Sequence, residues 1–373
     1  MIEPFENPFF ITQPLLPTTL EMNQMIKEIW ESHQLSNNGS KAQSLESELS
    51  NYLGLKYLSV FANGTIALEL AIRALRLSGE VITTPFTFAA TTHALNLNNI
   101  KPVFCDIEDT TLNMNPDLIE SLITKDTTAI MPVHVFGNPC NVLKIQQIAD
   151  KYGLKVLYDA AHAFGVKAYG KPIASYGDIS MFSFHATKIY HTIEGGALCY
   201  NNSDLKKQCD LLKNFGIQED GDVVDPGTNG KMNEVQAAVG LLLLKHVEDE
   251  ILRRKEITYL YRSLLENVPG ISFSLDMDGV SHNYAYFVIR VDQKQYGLSR
   301  DDLYEKLKQY NVIARKYFYP ICSNFTCYKN LPSASKSKLP VANRIGDMVL
   351  ALPLHGRMLD CDVAKICDII LGL

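Results

Sequence analysis

The stretch Ser183-Phe184-His185-Ala186-Thr187-Lys188, followed by Glu194-Gly195-Gly196, gathers a hydroxyl, an amine and a carboxylate. Between buried strands, desolvation and nearby positive charge lower a lysine pKa. Such an amine forms an imine with an aldehyde and can then move a proton. The bland alternative is a solvated surface charge, because ammonium groups are rarely buried. Other motifs have to decide between these readings.

Asp159-Ala160-Ala161-His162 places a carboxylate at the end of an apolar run, with small residues after it. A buried acid needs a partner. A protonated pyridine nitrogen would be one, and the pair would make that ring a better electron sink. His162 could then reach a ring hydroxyl. Asn63-Gly64-Thr65 joins an apolar run to a helical pattern. A helix start offers free N–H groups and a positive dipole end, which suits a phosphate. Phe86 and Phe88 follow Pro85; an aromatic there could stack on a planar ring or fill the core. Gly227-Thr228-Asn229-Gly230 enters a helix that begins near Gln236-Ala237-Ala238. Its small residues fit either a subunit contact or an ordinary capped helix. Taken singly, each of these motifs is more often structural.

The elements that must hold these residues alternate along the chain. Short apolar runs at 57–61, 81–84, 102–106, 128–135, 155–159, 179–184 and 197–200 read as strands. Helical patterns at 67–77, 89–97, 116–123 and 142–152 separate the early ones. That is a mostly parallel sheet covered on both faces, with ligands at the carboxyl ends of its strands. Asp106, His134, Asp159 and Ser183 all fall near such ends. An N-terminal arm and helices at 20–32 and 41–53 precede the sheet. A long helical region runs from Asn233 to Leu265. Beyond Pro269, alternating strands at 271–274 and 284–290, a helix at 299–310 and a flexible loop at 333–338 indicate a smaller α+β unit. The expected division is 1–250 for the large domain with its arm and 251–373 for the small one.

A formal charge of −6 argues against non-specific nucleic-acid binding. No apolar run reaches the ~18 residues that span a bilayer. The N-terminus lacks the positive charge of a signal peptide, so a cytoplasmic protein is expected. Eight scattered cysteines without a C-x-x-C pair read as reduced thiols, and no metal site is expected.

The order of these motifs resembles that of fold-type I pyridoxal-phosphate enzymes. More narrowly, it is similar to the DegT/DnrJ/EryC1/StrS family of sugar aminotransferases, from Pro14 to Leu352-Pro353-Leu354-His355. The resemblance implies an α/β fold with a large, mostly parallel sheet domain and a small C-terminal α+β domain. It implies pyridoxal 5'-phosphate as cofactor, with Lys188 as covalent anchor and Asp159 on the pyridine nitrogen. His162 stands where the family commonly has Gln and would touch the ring oxygen. Phe88 would stack on the ring, and Gly64, Thr65 and Ser183 would hold the phosphate. Asn229 would reach the phosphate of the other subunit's cofactor, making a homodimer with shared sites. His185, Glu194, Asn38 and Tyr317 are candidates for contacts to the donor or the sugar.

Relatives with histidine at the lysine position are dehydratases; this chain keeps Lys188. The wording Ile11-Thr12-Gln13-Pro14, Ser36-Asn37-Asn38-Gly39 and Gly230-Lys231-Met232-Asn233-Glu234 resembles the members that aminate C4 of dTDP-4-keto-6-deoxyglucose. The implied reaction takes the amine of L-glutamate and serves O-antigen or another surface glycan. Amination at C3, a GDP- or UDP-linked acceptor, a dehydratase with the same cofactor, and a non-catalytic regulator are the alternatives.

Overall fold

A computed structural model describes residues 2–372. Helix α1 (Thr19–Ser32) starts at Thr18, which forms a reciprocal capping box with Glu21. Helix α2 (Ser40–Leu53) ends at Gly54 in the left-handed region. Strand β1 (Tyr57–Phe61) leads into α3 (Gly64–Ala74), then β2 (Glu80–Thr83), α4 (Ala89–Leu97), β3 (Lys101–Phe104) and β4 (Thr127–Met131). Next come α5 (Val142–Tyr152), β5 (Lys155–Asp159), β6 (Ile179–Ser183), β7 (Gly196–Tyr200) and α6 (Ser203–Leu212).

These seven strands form one sheet in the order β1-β7-β6-β5-β4-β2-β3. Only β7 runs antiparallel to its neighbours. Successive strand residues point to opposite faces, and both faces are covered. Leu58, Val60, Val156 and Tyr158 pack with α2, α5 and the later helix α7. Phe61, Leu157, Met181 and Leu198 pack with α3, α4 and α6. This double burial explains why the strands read as unbroken apolar runs.

The long helical region is two helices, α7 (Glu234–Leu244) and α8 (Val247–Leu265), broken at Lys245 and His246. The expected small-residue face of α7 is used inside the subunit: Ala237 and Ala238 are fully buried. A Cβ on Gly240 would come within 2.7 Å of the Tyr190 hydroxyl. Strands β8 (Ile271–Phe273), β9 (Phe287–Val291) and β10 (Val349–Leu352) form a separate antiparallel sheet in the order β8-β9-β10. Helices α9 (Arg300–Gln309), α10 (Pro340–Met348) and α11 (Asp360–Leu371) complete this unit.

The division expected at 250 and 251 falls inside α8: Val247 packs in the sheet core, and Ile257, Tyr261 and Leu265 in the C-terminal core. Several other sequence expectations change here. The N-terminal arm joins that core too, since Ile2, Phe5 and Phe9 pack on it. Phe9–Phe10 pairs in parallel with Val312–Ile313. Residues 284–286 are not strand. Asn283 donates to the carbonyls of His162 and Phe164 at 2.8 and 2.9 Å, which pulls the chain away from the sheet. In the segment 333–338, Ser333 and Ala334 are buried at the end of one short 3-10 turn, while residues 335–338, which include a second, are exposed. Asp106 caps α10, accepting from Val341 and Ala342 at 2.9 and 2.8 Å. His134 is a core residue: Nδ1 accepts from Cys140 N–H at 3.0 Å, and burial lowers its pKa to about 3.

Glu234 is the polar joint between α7 and α2. It is 1% exposed, and its carboxylate accepts the N–H groups of Lys41 and Ala42 at 2.8 and 3.1 Å. A negative charge suits the start of a helix. Replacing Glu234 with Ala strands both donors, so Glu234→Ala should lose about 1–3 kcal/mol. Urea unfolding checks this; an unchanged midpoint refutes the role.

Candidate active site

Because β7 is reversed, its first residue lies at the edge where the parallel strands end. Gly196 is opposite both Phe61 of β1 and Ser183 of β6. A Cβ on Gly196 would lie 2.8 Å from the Cα of Gly64, so glycine alone lets the turn after β1 close over β7. Asn63 caps α3 by accepting from Ile66 N–H at 2.9 Å. The N–H groups of Gly64 and Thr65 precede the first intrahelical bond and remain available to an anion. Gln236, at the start of α7, donates to the carbonyls of Glu194 and Ala62 at 2.6 and 3.3 Å. It ties the Lys188 loop to the same turn.

A cavity of about 720 Å³ opens at this edge. Gly64, Thr65, Phe88, Asp159, His162, Ser183, His185, Lys188, Glu194 and Tyr317 all line it. Lys188 is half-buried as a residue, and its amine is enclosed by the cavity. Burial pushes its pKa down to about 8, against the opposing effects of Tyr317 and Asp159. The amine donates to the Tyr286 hydroxyl at 3.3 Å. Asp159 is 4% exposed. One carboxylate oxygen accepts from Thr91 Oγ1 at 2.7 Å and the other from Ala161 N–H at 3.0 Å. Burial still raises its pKa, so the site favours a cation that would share the charge.

His162 is held in one protonation form. Its Nδ1 accepts the N–H of Phe136 at 3.2 Å. Burial holds its pKa well below the ordinary value. The ring is parallel to those of Phe136 and Phe318, with centroids 6.1 and 6.0 Å away. The neutral imidazole therefore keeps its proton on Nε2 and offers a donor, as a glutamine amide would. His185 and Glu194 form a looser pair at 3.6 Å, near the open side. Phe88 is 62% exposed at the cavity wall, where a large apolar ring needs a partner.

Two candidate residues lie elsewhere in this chain. Asn38 lines a separate depression with Glu46, Lys206 and Lys213. Asn229 is exposed and bridges to Asn214 outside the cavity. Conversely, Thr91, Tyr286 and Arg315 belong to the site and escaped the sequence reading. Thr91 sits inside α4 with nothing local to mark it. Tyr286 and Arg315 come from the C-terminal unit, and their contacts depend on the packing of that unit against the sheet.

The sequence profile of the DegT/DnrJ/EryC1/StrS aminotransferase family matches residues 18–371. The chain belongs to this family. The aminotransferase is 46% identical, over 97% of its length and 98% of the relative's, to a dTDP-4-amino-4,6-dideoxy-D-glucose transaminase of Escherichia coli. Its structure matches that of DesI determined in the presence of its TDP-sugar product, with a TM-score of 0.94 and 34% identity. That match covers 99% of this chain and 93% of DesI. It also matches the PLP form of the putative sugar aminotransferase Spr1654 of Streptococcus pneumoniae, with a TM-score of 0.88 and 26% identity. Coverage there is 96% and 97%.

Pyridoxal phosphate is the cofactor of this aminotransferase, and the residues present fit it. A buried carboxylate short of a cation, an amine of lowered pKa, an unpartnered exposed aromatic ring and a helix start beside a serine share one cavity. No group of metal-ligating side chains occurs among the described residues, and no helix there is long and apolar enough to cross a membrane. Among the cysteines, Cys327 and Cys361 are exposed and the other six are buried, all as free thiols.

The amine of Lys188 has a measurable consequence. Only the unprotonated amine attacks an aldehyde, and its fraction rises as pH passes the pKa. Reconstitution of the apoenzyme should therefore speed up with pH around a midpoint of about 8. An ordinary lysine would place that midpoint at about 10.4. Stopped-flow absorbance across this range tests it; a midpoint above about 10 contradicts the burial effect.

Proposed function

We propose that the protein transfers the amino group of L-glutamate to C4 of dTDP-4-keto-6-deoxy-D-glucose. The product is dTDP-4-amino-4,6-dideoxy-D-glucose, a precursor for a surface glycan such as O-antigen. The observation that carries the acceptor is the near full-length likeness to the Escherichia coli transaminase. The chemistry rests on Lys188 and Asp159 facing one cavity.

The cofactor, when bound, supplies an aldehyde and an electron-withdrawing ring. Asp159 would pair with the ring nitrogen, its carboxylate supported by hydrogen bonds from Thr91 and Ala161 N–H. His162 would donate from Nε2 to the ring oxygen, and Phe88 would be the aromatic contact for the ring. Gly64, Thr65 and Ser183 would hold the phosphate. Lys188 would anchor the cofactor, and its free amine would take up and return a proton at Nζ as general base and then general acid. Tyr286 keeps the free amine oriented, since burial holds its phenol neutral and able to accept. His185, Glu194 and Tyr317 border the open side, where the sugar arrives. We assign Asn229 to the phosphate of a second subunit. Its exposure beyond its own chain's cavity supports a homodimer with shared sites.

Incubation with L-glutamate and a panel of dTDP-, GDP- and UDP-linked keto-sugars tests the acceptor. NMR of the product should give an equatorial amine at C4 of the dTDP sugar; an amine at C3, or deoxygenation without glutamate consumption, overturns the proposal. Lys188→Ala should lose the visible absorption of bound cofactor and all multiple turnover. Normal steady-state activity in that variant would falsify the role of the amine.

A further inference from the structure

We infer that Arg315 is the receptor for a carboxylate of the amino donor. The inference rests on the donor being an amino acid and is independent of which sugar accepts the amine.

The donor brings anionic charge into a cavity that already contains the carboxylates of Asp159 and Glu194. A cation on the wall has to meet it. Apart from histidines, the basic side chains lining the cavity are Lys188 and Arg315. Lys188 is the reacting amine and cannot also hold a carboxylate. His185 is charged only when protonated, and it faces Glu194. That leaves the guanidinium.

The neighbouring cations have partners. Lys316 pairs with Asp301 at 2.6 Å and Arg300 with the same carboxylate at 2.7 Å. Arg344 and Arg290 share Asp109 at 2.7 and 3.7 Å. Among the described residues, no carboxylate lies within salt-bridge distance of Arg315, although Asp301 serves the residue next to it. Its backbone is fixed, exchanging hydrogen bonds with Ala351 at 3.0 and 2.8 Å. Ala314 before it is 1% exposed in the small-domain core. The side chain thus springs from a rigid base and carries an unspent planar fork, which matches a carboxylate in two bonds.

Arg315 also borders a second cavity of about 490 Å³, with Phe88, Tyr304 and Tyr319. A nucleoside diphosphate is the rival occupant of the guanidinium, and the experiment separates the two. The cofactor-loaded wild type, Arg315→Gln and Arg315→Lys would be titrated with glutarate and with thymidine diphosphate by calorimetry. The isolated reaction with L-glutamate would be followed by absorbance. Unchanged cofactor absorption and circular dichroism confirm that each variant is folded and loaded.

Loss of a charge-assisted pair should weaken glutarate binding in Arg315→Gln by about tenfold to a hundredfold. Half-saturation by L-glutamate should rise by a similar factor, with a smaller change in the maximal rate. Arg315→Lys should recover part of the loss, and thymidine diphosphate affinity should stay within about twofold in both variants. Glutarate bound equally by wild type and Arg315→Gln overturns the assignment. So does a loss confined to thymidine diphosphate, which would give the residue to the nucleotide. Neither titration involves a keto-sugar. A wild type that binds glutarate through Arg315 yet aminates no dTDP sugar would remove the proposed acceptor and leave this assignment standing.

Discussion

Asp159 carries a carboxylate to the end of a strand covered on both faces, beyond the reach of bulk water. An ionised acid there is costly unless it is hydrogen-bonded and paired. The chain supplies the hydrogen bonds through Thr91 and the Ala161 N–H, but among the described residues no ion pair is formed with it. A cation bound in the cavity would complete the arrangement. The same cavity gathers the Lys188 amine, the His162 imidazole, the exposed Phe88 ring and the start of α3. Filling the cavity also stabilises the fold, because a ligand that binds only the native state shifts the folding equilibrium by mass action.

The reversed strand β7 solves the geometric half of this problem. In a fully parallel sheet, the neighbour of β1 would present its carboxyl end at the same edge. Here the amino end of β7 arrives instead, and it arrives as glycine. Gly196 lets the turn at Gly64 lie against it, so the helix start and Ser183 can address one phosphate. Gln236 braces both loops from behind. The site is therefore built largely from backbone closeness, with side chains chosen afterwards for their chemistry.

This division of labour explains what the sequence could reveal. Doubly covered strands are continuous apolar runs, so β1, β5 and β6 were legible nearly to the residue. Asp159, Ser183 and Lys188 were legible because they break those runs with polar chemistry at strand ends. Asp106 and His134 break them in the same way, yet they serve only a helix cap and a core hydrogen bond. The sequence pattern cannot tell a carboxylate facing a cavity from one facing a helix start. Thr91, Tyr286 and Arg315 were invisible for a different reason. Each acts through a contact made across large chain separations, and local period carries no information about it. Asn283 shows this most clearly: its alternating surroundings read as strand, but its amide binds two carbonyls near His162 and bends the chain away.

The N-terminal arm has a consequence for how the chain is made. Phe5 and Phe9 pack, partly buried, against the core of the C-terminal unit, and Phe5 N–H donates to Tyr310 O at 3.1 Å. The arm thus finds its partners only after the C-terminal unit, which follows it by some hundreds of residues, has been synthesised. Until then, two aromatic side chains stay exposed while the large sheet folds beside them. Contacts of such long sequence separation form slowly and leave apolar surface open to aggregation. Translation order and folding order are opposed at this seam, because the arm is made long before the core it packs on.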